Sequence, residues 1–272
     1  MSTGDGPLKI WGSGDADSKA WLSEGVVLRG SGPWSGSVIA LLQHLEKVGF
    51  SGAPRVVGSG FAPDGREMIT YVPGTSPHPQ AWEDQALVAI GALIRELHEA
   101  TRSFRAPIDA CWQPCVVREV SRSREVIGHG DLGPWTIVAE SGIPVAFIDW
   151  EFAGPVDPVW DLADAAWLNV QLHDDDVAAR FALPSAGHRA EQLRLLIDGY
   201  GLEISQRQGF VDKMIELAVH SARSEALRHQ VAPETTSAAD AAGYPVLWAI
   251  TWRTRSASWM LRHRELLQRA LV

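Results

Sequence analysis

Two aspartates stand where their side chains could carry chemistry. Asp131 follows His129 in HGDLGPWTIVAE, a glycine-rich turn that runs into a β-branched stretch, and Asp149 ends a later apolar run in FIDWEF. Phosphoryl transfer uses such a pair, because one aspartate orients or deprotonates the acceptor hydroxyl while a second holds Mg²⁺ against the nucleotide phosphates. The pair therefore predicts transfer of phosphate to a hydroxyl group.

The segment between the two aspartates predicts a β-hairpin. In TIVAESGIPVAFIDW, two apolar runs flank a Ser-Gly pair of the kind that turns a chain back on itself. Thr136 and Asp149 lie at the two open ends of this hairpin. We therefore expect Asp149 to lie beside the loop that holds Asp131, so that the two carboxylates share one small site.

A resemblance to a known family rests on HGDLGPWT and FIDWEFAGPVDPVWDLA. In this order and spacing they resemble the paired motifs of the aminoglycoside phosphotransferase and choline kinase group, small-molecule kinases with a protein-kinase-like fold. The resemblance is strongest over residues 126–167 and extends more loosely over the chain. It implies that Asp131 is the catalytic base and Asp149 the magnesium ligand. It also implies that His129 braces the loop and that Asp161 anchors it by accepting backbone hydrogen bonds.

Three features depart from the family pattern. Thr136 stands where the motif places an Asn; its hydroxyl could coordinate magnesium, but a β-branched residue that opens a strand needs no such role. Arg29, in VVLRG, is the nearest candidate for the phosphate-binding Lys, with Lys19 one strand earlier as the alternative. The helix that begins SGSVIALL lacks the Glu expected to pair with that cation. These departures predict an altered nucleotide side of the cleft.

The expected nucleotide contacts lie near the N-terminus and in a hinge. Gly12 and Gly14, in WGSGD, could let backbone amides approach phosphates, although short Gly/Ser turns are common. By the same resemblance, the hinge MITYVPG contributes Thr70 and Val72 as nucleotide contacts. The cofactors that the resemblance implies are ATP or GTP and Mg²⁺.

The acceptor is expected among the C-terminal helices. Asp157 and the run Asp174, Asp175 and Asp176 could form an acidic rim for a cationic substrate. A charge run of this kind is also typical of a solvated loop or a helix start. Glu151 could approach the metal or face solvent. The acceptor implied by the family is a hydroxyl of an aminoglycoside-like antibiotic, and a small metabolite is equally open.

The predicted secondary structure changes along the chain from short strands to helices. Short apolar runs between Gly, Ser and Asp predict strands near the N-terminus, and the interrupted, proline-rich segment that follows predicts a hinge. Periodic apolar residues predict helices over 37–48, 82–101, 159–172, 188–200, 209–229 and 246–271. With the resemblance, this pattern predicts an α+β, protein-kinase-like fold of two lobes. The expected divisions are a nucleotide-binding lobe (1–72), a hinge (73–80) and a larger, mostly helical catalytic and substrate-binding lobe (81–272).

The composition of the chain disfavours several classes of binding partner. The chain of 272 residues has a net charge of −9, which disfavours nucleic acid and anionic membranes because phosphate neutralisation requires clustered Lys and Arg. No apolar run reaches the roughly 18 residues of a membrane span, and the N-terminus lacks a basic segment followed by an apolar one. A cytoplasmic protein is the expectation. The cysteines of CWQPC lack a second Cys/His pair nearby, which makes a zinc site a poor interpretation.

Two functional hypotheses from different classes follow. The first is a phosphotransferase that uses ATP or GTP to modify a hydroxyl of a small molecule. The second is a catalytically degenerate kinase-like protein with a ligand-binding, regulatory or immunity role, which the substitutions at Thr136 and Arg29 motivate. Asp131 and Asp149 both stand in their motifs, which favours the first. An ATP hydrolase or a protein kinase is disfavoured because no segment resembling an activation loop follows IDWEFAGP.

Overall fold

The structure, a computed structural model, describes residues 6–8, 20–236 and 245–272. Its N-terminal part is an antiparallel sheet of five strands in the order β1-β2-β3-β5-β4. The strands are β1 (Gly6–Leu8), β2 (Ala20–Ser23), β3 (Val26–Arg29), β4 (Val56–Phe61) and β5 (Glu67–Thr70). Because β3 pairs with β5, Arg29 at the end of β3 lies directly opposite Glu67.

One helix, α1 (Ser35–Lys47), accompanies this sheet. Its apolar residues, among them Val38, Leu41 and Leu45, recur at helical spacing and are buried, so one face of the helix joins the core. The helix begins two residues before the predicted range 37–48 and ends one residue before it, which is ordinary uncertainty at helix ends.

The rest of the chain is mostly helical. The helices are α2 (Asp84–Thr101), α3 (Val116–Val120), α4 (Pro158–Asn169), α5 (Asp175–Arg180), α6 (Ala186–Tyr200), α7 (Ile204–Arg207), α8 (Phe210–Arg228), α9 (Val246–Arg262) and α10 (Arg264–Leu271). The single helix predicted over 246–271 is wrong, because the chain turns at His263 and forms α9 and α10. The helices α2 and α6 lie close together because Gly91 and Gly199 present no Cβ to the facing backbone.

The predicted hairpin is present between the helices. Strands β7 (Ile137–Glu140) and β8 (Ile143–Phe147) pair antiparallel, and the turn residues Ser141 and Gly142 both have positive φ, 51° and 81°. This turn geometry matches the twist of the two strands.

A second short pair was not predicted. Strand β6 (Val126–Gly128) pairs with β9 (Gly154–Val156). The loop with Asp131 leaves β6, and the segment with Asp149 runs into β9. The two pairs of strands therefore bring both aspartates to one place.

The predicted hinge is attached to the hairpin. Thr75 exchanges backbone hydrogen bonds with Ala139, at 3.0 Å and 2.8 Å. One hydrophobic cluster includes residues of α1, α2, the hairpin, α4, α6 and α8, so the core continues across the predicted lobe boundaries. Within the described ranges, no helix has the length and apolarity needed to cross a membrane.

Candidate active site

The loop that carries Asp131 is held from behind by Asp161. Asp161 Oδ1 accepts a hydrogen bond from the Gly130 backbone N at 3.4 Å, and its Oδ2 lies 3.0 Å from His98 Nε2. Gly130 has φ +78°, and a Cβ there would collide with the carbonyl oxygen of Phe152. The sequence therefore needs glycine before the aspartate, and Asp161 lies where the anchoring role was expected.

His129 links this loop to the strand that leads to Asp149. Its ring is fully buried, and burial lowers its pKa, so the imidazole is neutral. Nε2 donates to the carbonyl oxygen of Ile148 at 2.9 Å, and the ring packs against Trp150 with centroids 4.8 Å apart. His129 lines none of the cavities described below, and this geometry suits a positioning residue.

Asp131 faces a cavity, and its carboxylate accepts hydrogen bonds from a neighbouring indole. The indole Nε1 of Trp135 lies 3.2 Å and 3.3 Å from its two carboxylate oxygens. Burial, reinforced by the negative charge of Asp149, raises the pKa of Asp131 to about 7. A carboxylate with such a pKa can accept a proton near neutral pH, which is the requirement for a general base.

Thr136 lies differently from its predicted place among the magnesium ligands. Its Oγ1 is buried and lies 2.6 Å from the carbonyl oxygen of Asp131 and 3.0 Å from that of Gly133. The hydroxyl proton is donated to this pair of carbonyl oxygens, so the side chain closes the loop on itself. The metal-ligand prediction is corrected to a loop-stabilising role.

Asp149 is bound by an arginine. Its backbone is left-handed, with φ 68°, and its Oδ1 lies 2.8 Å from Nη2 of Arg29. The same nitrogen lies 2.8 Å from Glu151 Oε2. Arg29 Nε lies 3.5 Å from Glu67 Oε2, and the hydroxyl of Ser35 donates to Glu67. Three acidic side chains therefore surround one buried guanidinium.

The acidic partner of Arg29, which α1 lacks, comes from a strand of the sheet. Glu67 partners Arg29 across β3 and β5, where sequence reasoning looked for a partner on α1. Burial opposes the charge of Arg29, but Asp149, Glu67 and Glu151 together raise its pKa above the usual value. Glu67 could have been identified from its place in REMITYV, a predicted strand that is a possible partner of the strand VVLRG.

The described residues alone assemble no magnesium site. Arg29 binds an oxygen of Asp149 and of Glu151, and Thr136 donates to backbone oxygens. Across the ranges that the structure describes, no group of three or more His, Cys, Asp or Glu side chains could hold a metal ion. Positive charge at this place comes from the Arg29 guanidinium.

A cavity of about 390 Å³ lies between the sheet and the hairpin, and we refer to it as the interlobe cavity. Arg29 and Asp149 line its charged end, and the predicted contacts Thr70 and Val72 line it as well. Its apolar walls are Ala20, Val27, Ile69, Ile137, Val138 and Ile148. Apolar side chains together with a paired arginine and aspartate suit a ligand that combines an apolar ring with polar groups. The predicted phosphate contacts Gly12 and Gly14, and also Lys19, lie outside the described residues.

A second cavity of about 400 Å³, the acceptor cavity, lies on the other side of Trp135. Asp131 and Asp164 both line it, together with Arg253. Burial and the charge of Asp131 raise the pKa of Asp164 well above its usual value, which favours the protonated form that can donate a hydrogen bond. Sequence reasoning missed Asp164, although it lies three residues after Asp161 on α4.

The prediction that Asp157 contacts the substrate is corrected. Its Oδ1 accepts from the backbone N of Val159 at 2.9 Å, which caps the N-terminus of α4. Asp157 lines none of the described cavities. An Asp followed by Pro at the first helical position is typical of a helix start.

The predicted acidic rim is also corrected, because its carboxylates are paired with side chains of α9. Asp174 lies 3.0 Å from Arg255 and 2.6 Å from Arg262. Asp175 accepts from the indole of Trp259 at 2.7 Å. Neither aspartate lines the acceptor cavity. These partners are 80 or more residues away in sequence, so the run DDD could not identify them.

Comparisons with known proteins identify relatives of this chain. The family described as the phosphotransferase enzyme family matches residues 100–193. Over 248 residues, the chain is 51% identical to the trifolitoxin immunity protein of Rhizobium leguminosarum bv. trifolii, covering 91% of this chain and 93% of that protein. The chain belongs to the same family as this immunity protein, within the phosphotransferase enzyme family.

Solved structures of this phosphotransferase family share the fold. An amicoumacin kinase, hAmiN, in complex with AMP-PNP, Ca²⁺ and Ami, has a TM-score of 0.63 at 16% identity, covering 93% of this chain and 88% of that chain. A choline/ethanolamine kinase family protein from Mesorhizobium loti has a TM-score of 0.59 at 17% identity, covering 99% and 92%. The expected α+β, kinase-like fold is confirmed.

Proposed function

We propose that this protein confers immunity to a small toxin by kinase-type chemistry in the cytoplasm. It would move the terminal phosphate of ATP or GTP onto a hydroxyl of the toxin. Membership of a phosphotransferase family supports the chemistry, and the relative with 51% identity, named an immunity protein, supports the biological role. The observation that carries the proposal is Asp131, with a pKa of about 7, in the wall of the acceptor cavity beside Trp135, whose indole also lines the interlobe cavity.

In this proposal, each of the two cavities holds one substrate. The nucleotide lies in the interlobe cavity, with the lobe of residues 1–72 over it, and the toxin hydroxyl lies in the acceptor cavity of the lobe 81–272. The hydroxyl oxygen bonds to the terminal phosphorus while the bond to the bridging oxygen breaks, and Asp131 takes the hydroxyl proton. The nucleoside diphosphate leaves, and Asp131 then releases its proton to water.

The remaining residues position these groups. His129 and Asp161 hold the loop of Asp131, and Thr136 closes it. Arg29 contributes positive charge at the end of the interlobe cavity, where phosphates of a nucleotide would lie. Preorganised charge and position are the main protein contributions to phosphoryl transfer.

A second candidate function is immunity by binding the toxin without modifying it. The pairing of Arg29 with Asp149, Glu151 and Glu67 favours it, because those carboxylates already neutralise the cation that would face a nucleotide. The two candidates share the acceptor cavity and differ in whether Asp131 is needed.

A toxin challenge with mass analysis tests both candidates. A trifolitoxin-sensitive host expressing the protein is exposed to trifolitoxin, and the recovered toxin is weighed by mass spectrometry. The proposal expects survival and a toxin heavier by one phosphate group, with both lost in Asp131→Asn. Asp109→Asn, at an exposed position, is the matched control and should protect fully.

The other outcomes decide between the candidates. Survival of the Asp131→Asn host with unmodified toxin would establish the binding function in place of transfer. Death of the host that expresses the unaltered protein would overturn the immunity role for this toxin.

A further inference from the structure

A third cavity, which we call the aromatic cavity, adjoins the proposed acceptor site. Its volume is about 200 Å³, and aromatic side chains form much of its wall. They are Trp135, Phe181, Trp248 and Trp252. Trp135 also lines the acceptor cavity and donates to Asp131, so a single indole separates this space from the base. An apolar cavity of about 150 Å³ is known to hold benzene, so this one has room for an aromatic ring.

The charges around the aromatic cavity disfavour a cation. The residues described as its lining include no carboxylate. The guanidinium of Arg253 already lies over the ring of Trp252, 4.5 Å from its centroid. Arg189 donates to the backbone oxygen of His173 at 2.8 Å and adds a second positive charge nearby. Arg253 is itself paired with Glu225 at 3.2 Å. A positively charged ligand group would therefore find no carboxylate in the wall of the aromatic cavity.

Two neutral imidazoles give this cavity its polar character. His78 and His173 both line it, and burial lowers the pKa of each, that of His173 to about 3. His173 Nδ1 lies 3.2 Å from the hydroxyl of Ser256. His78 Nδ1 is buried and has no hydrogen-bond partner among the described residues. His78 also lines the interlobe cavity. Because a buried polar atom is costly to leave unpaired, His78 marks a position for a hydrogen-bonding ligand atom where these two cavities adjoin.

We propose that the aromatic cavity is a subsite for an uncharged aromatic or heteroaromatic ring of the molecule whose hydroxyl faces Asp131. This inference rests on the proposed function and specifies its substrate class, an aromatic hydroxyl compound with an uncharged ring. A polycationic amino sugar fits poorly, because the carboxylates Asp174 and Asp175 that could bind its amines are already paired with α9.

Indole is the probe for this subsite, and calorimetric titration of the whole protein measures its Kd. We expect indole to bind and its cationic analogue tryptamine to bind at least about tenfold more weakly. Trp248→Ala should weaken indole binding about tenfold, since it removes one aromatic wall. Trp248 is 43% exposed, and the matched control Trp21→Ala removes an indole that is 41% exposed and lines none of these cavities. The control should leave the Kd unchanged.

The role of His78 has a test that requires no variant. If its Nδ1 accepts the indole N–H, 1-methylindole binds more weakly than indole, and equal affinities overturn the assignment of this atom. Equal binding of tryptamine and indole, or an unchanged Kd in a folded Trp248→Ala protein, overturns the subsite.

These measurements use neither nucleotide nor phosphate transfer. Indole binding that depends on Trp248 upholds the subsite even if transfer to the toxin fails. Phosphate transfer without indole binding overturns the subsite and leaves the proposed function in place.

Discussion

The two sides of the cleft hold aspartates in equally clear motifs but in opposite electrostatic surroundings. Asp131 faces the acceptor cavity with an indole N–H as its donor, and burial raises its pKa to about 7. Asp149 lies 2.8 Å from Arg29, which Glu151 and Glu67 share. A motif therefore predicts where a carboxylate lies in this family without predicting which cation accompanies it.

The largest expected effect is a loss of phosphate transfer, caused by a variant that alters only the Asp131 side of the cleft. Asp131→Asn removes the proton acceptor and keeps the side-chain shape, so transfer should fall by about 10²–10⁴-fold, the usual contribution of a general base. Nucleotide affinity should remain, because Asp131 lines the acceptor cavity and not the interlobe one. Single-turnover transfer and calorimetric titration of nucleotide measure the two quantities. Equal loss of both would remove the distinction between the two sides.

Changes on the Asp149 side of the cleft should alter the stability of the protein. Arg29→Met leaves three acidic groups in a buried place without their cation, and such a loss costs about 3–5 kcal/mol of unfolding free energy. Urea denaturation at neutral pH measures it. The matched control, Arg255→Met, removes a partly exposed partner of Asp174 and should change stability less.

The same variant sharpens the metal question. With Arg29 gone, Asp149 and Glu151 have oxygens available to a cation, so Mg²⁺ should raise the Tm of Arg29→Met and leave the unaltered protein unchanged. An equal rise in both proteins would show that Arg29 does not exclude the metal.

The pH dependence of stability and of phosphate transfer should follow the ionisation of Asp131. Because the pKa of Asp131 is raised to about 7, the folded protein holds this proton more tightly than the unfolded chain does. Its contribution to stability is therefore lost as pH rises from about 4 to about 7. Asp131→Asn should gain stability relative to the unaltered protein over this window and keep that gain at pH 8. Transfer by the unaltered protein should rise through pH 7, where the carboxylate ionises.

The smallest expected effect concerns the loop. Thr136→Val removes a hydroxyl that reaches two carbonyl oxygens and should lower the unfolding free energy by about 1–2 kcal/mol. The control Thr254→Val removes an exposed hydroxyl that bonds within its own helix and should have less effect. Thermal denaturation of both variants checks the difference. Equal losses would remove the special role assigned to Thr136.

The elements with local signals could be predicted from the sequence. The hairpin follows from two apolar runs around Ser141 and Gly142, and the long helices follow from apolar periodicity. The break at His263 lacked such a signal, because neither Gly nor Pro interrupts the pattern there. The strands β6 and β9 were also missed, since each has three residues and depends on the other for its hydrogen bonds.

The site was predictable where the chain order sets the geometry. Asp131 and Asp149 lie close enough for the charge of one to affect the pKa of the other, because a hairpin separates them. Glu67 meets Arg29 only through the register of two strands 38 positions apart. Asp174 meets Arg262 through an ion pair that joins residues 88 positions apart. Pairings of this kind depend on how whole elements pack, which a linear pattern does not contain.

The position of Trp135 links the occupants of the cleft to one another. Its indole borders the interlobe, acceptor and aromatic cavities and donates to Asp131. A ligand that shifts this ring in one cavity therefore changes the shape of the other two and the hydrogen bond to the base. Thermodynamic reciprocity then requires that the affinities of nucleotide and acceptor depend on each other by the same factor. Trp135 is therefore the side chain through which a ligand in one cavity would affect the other two.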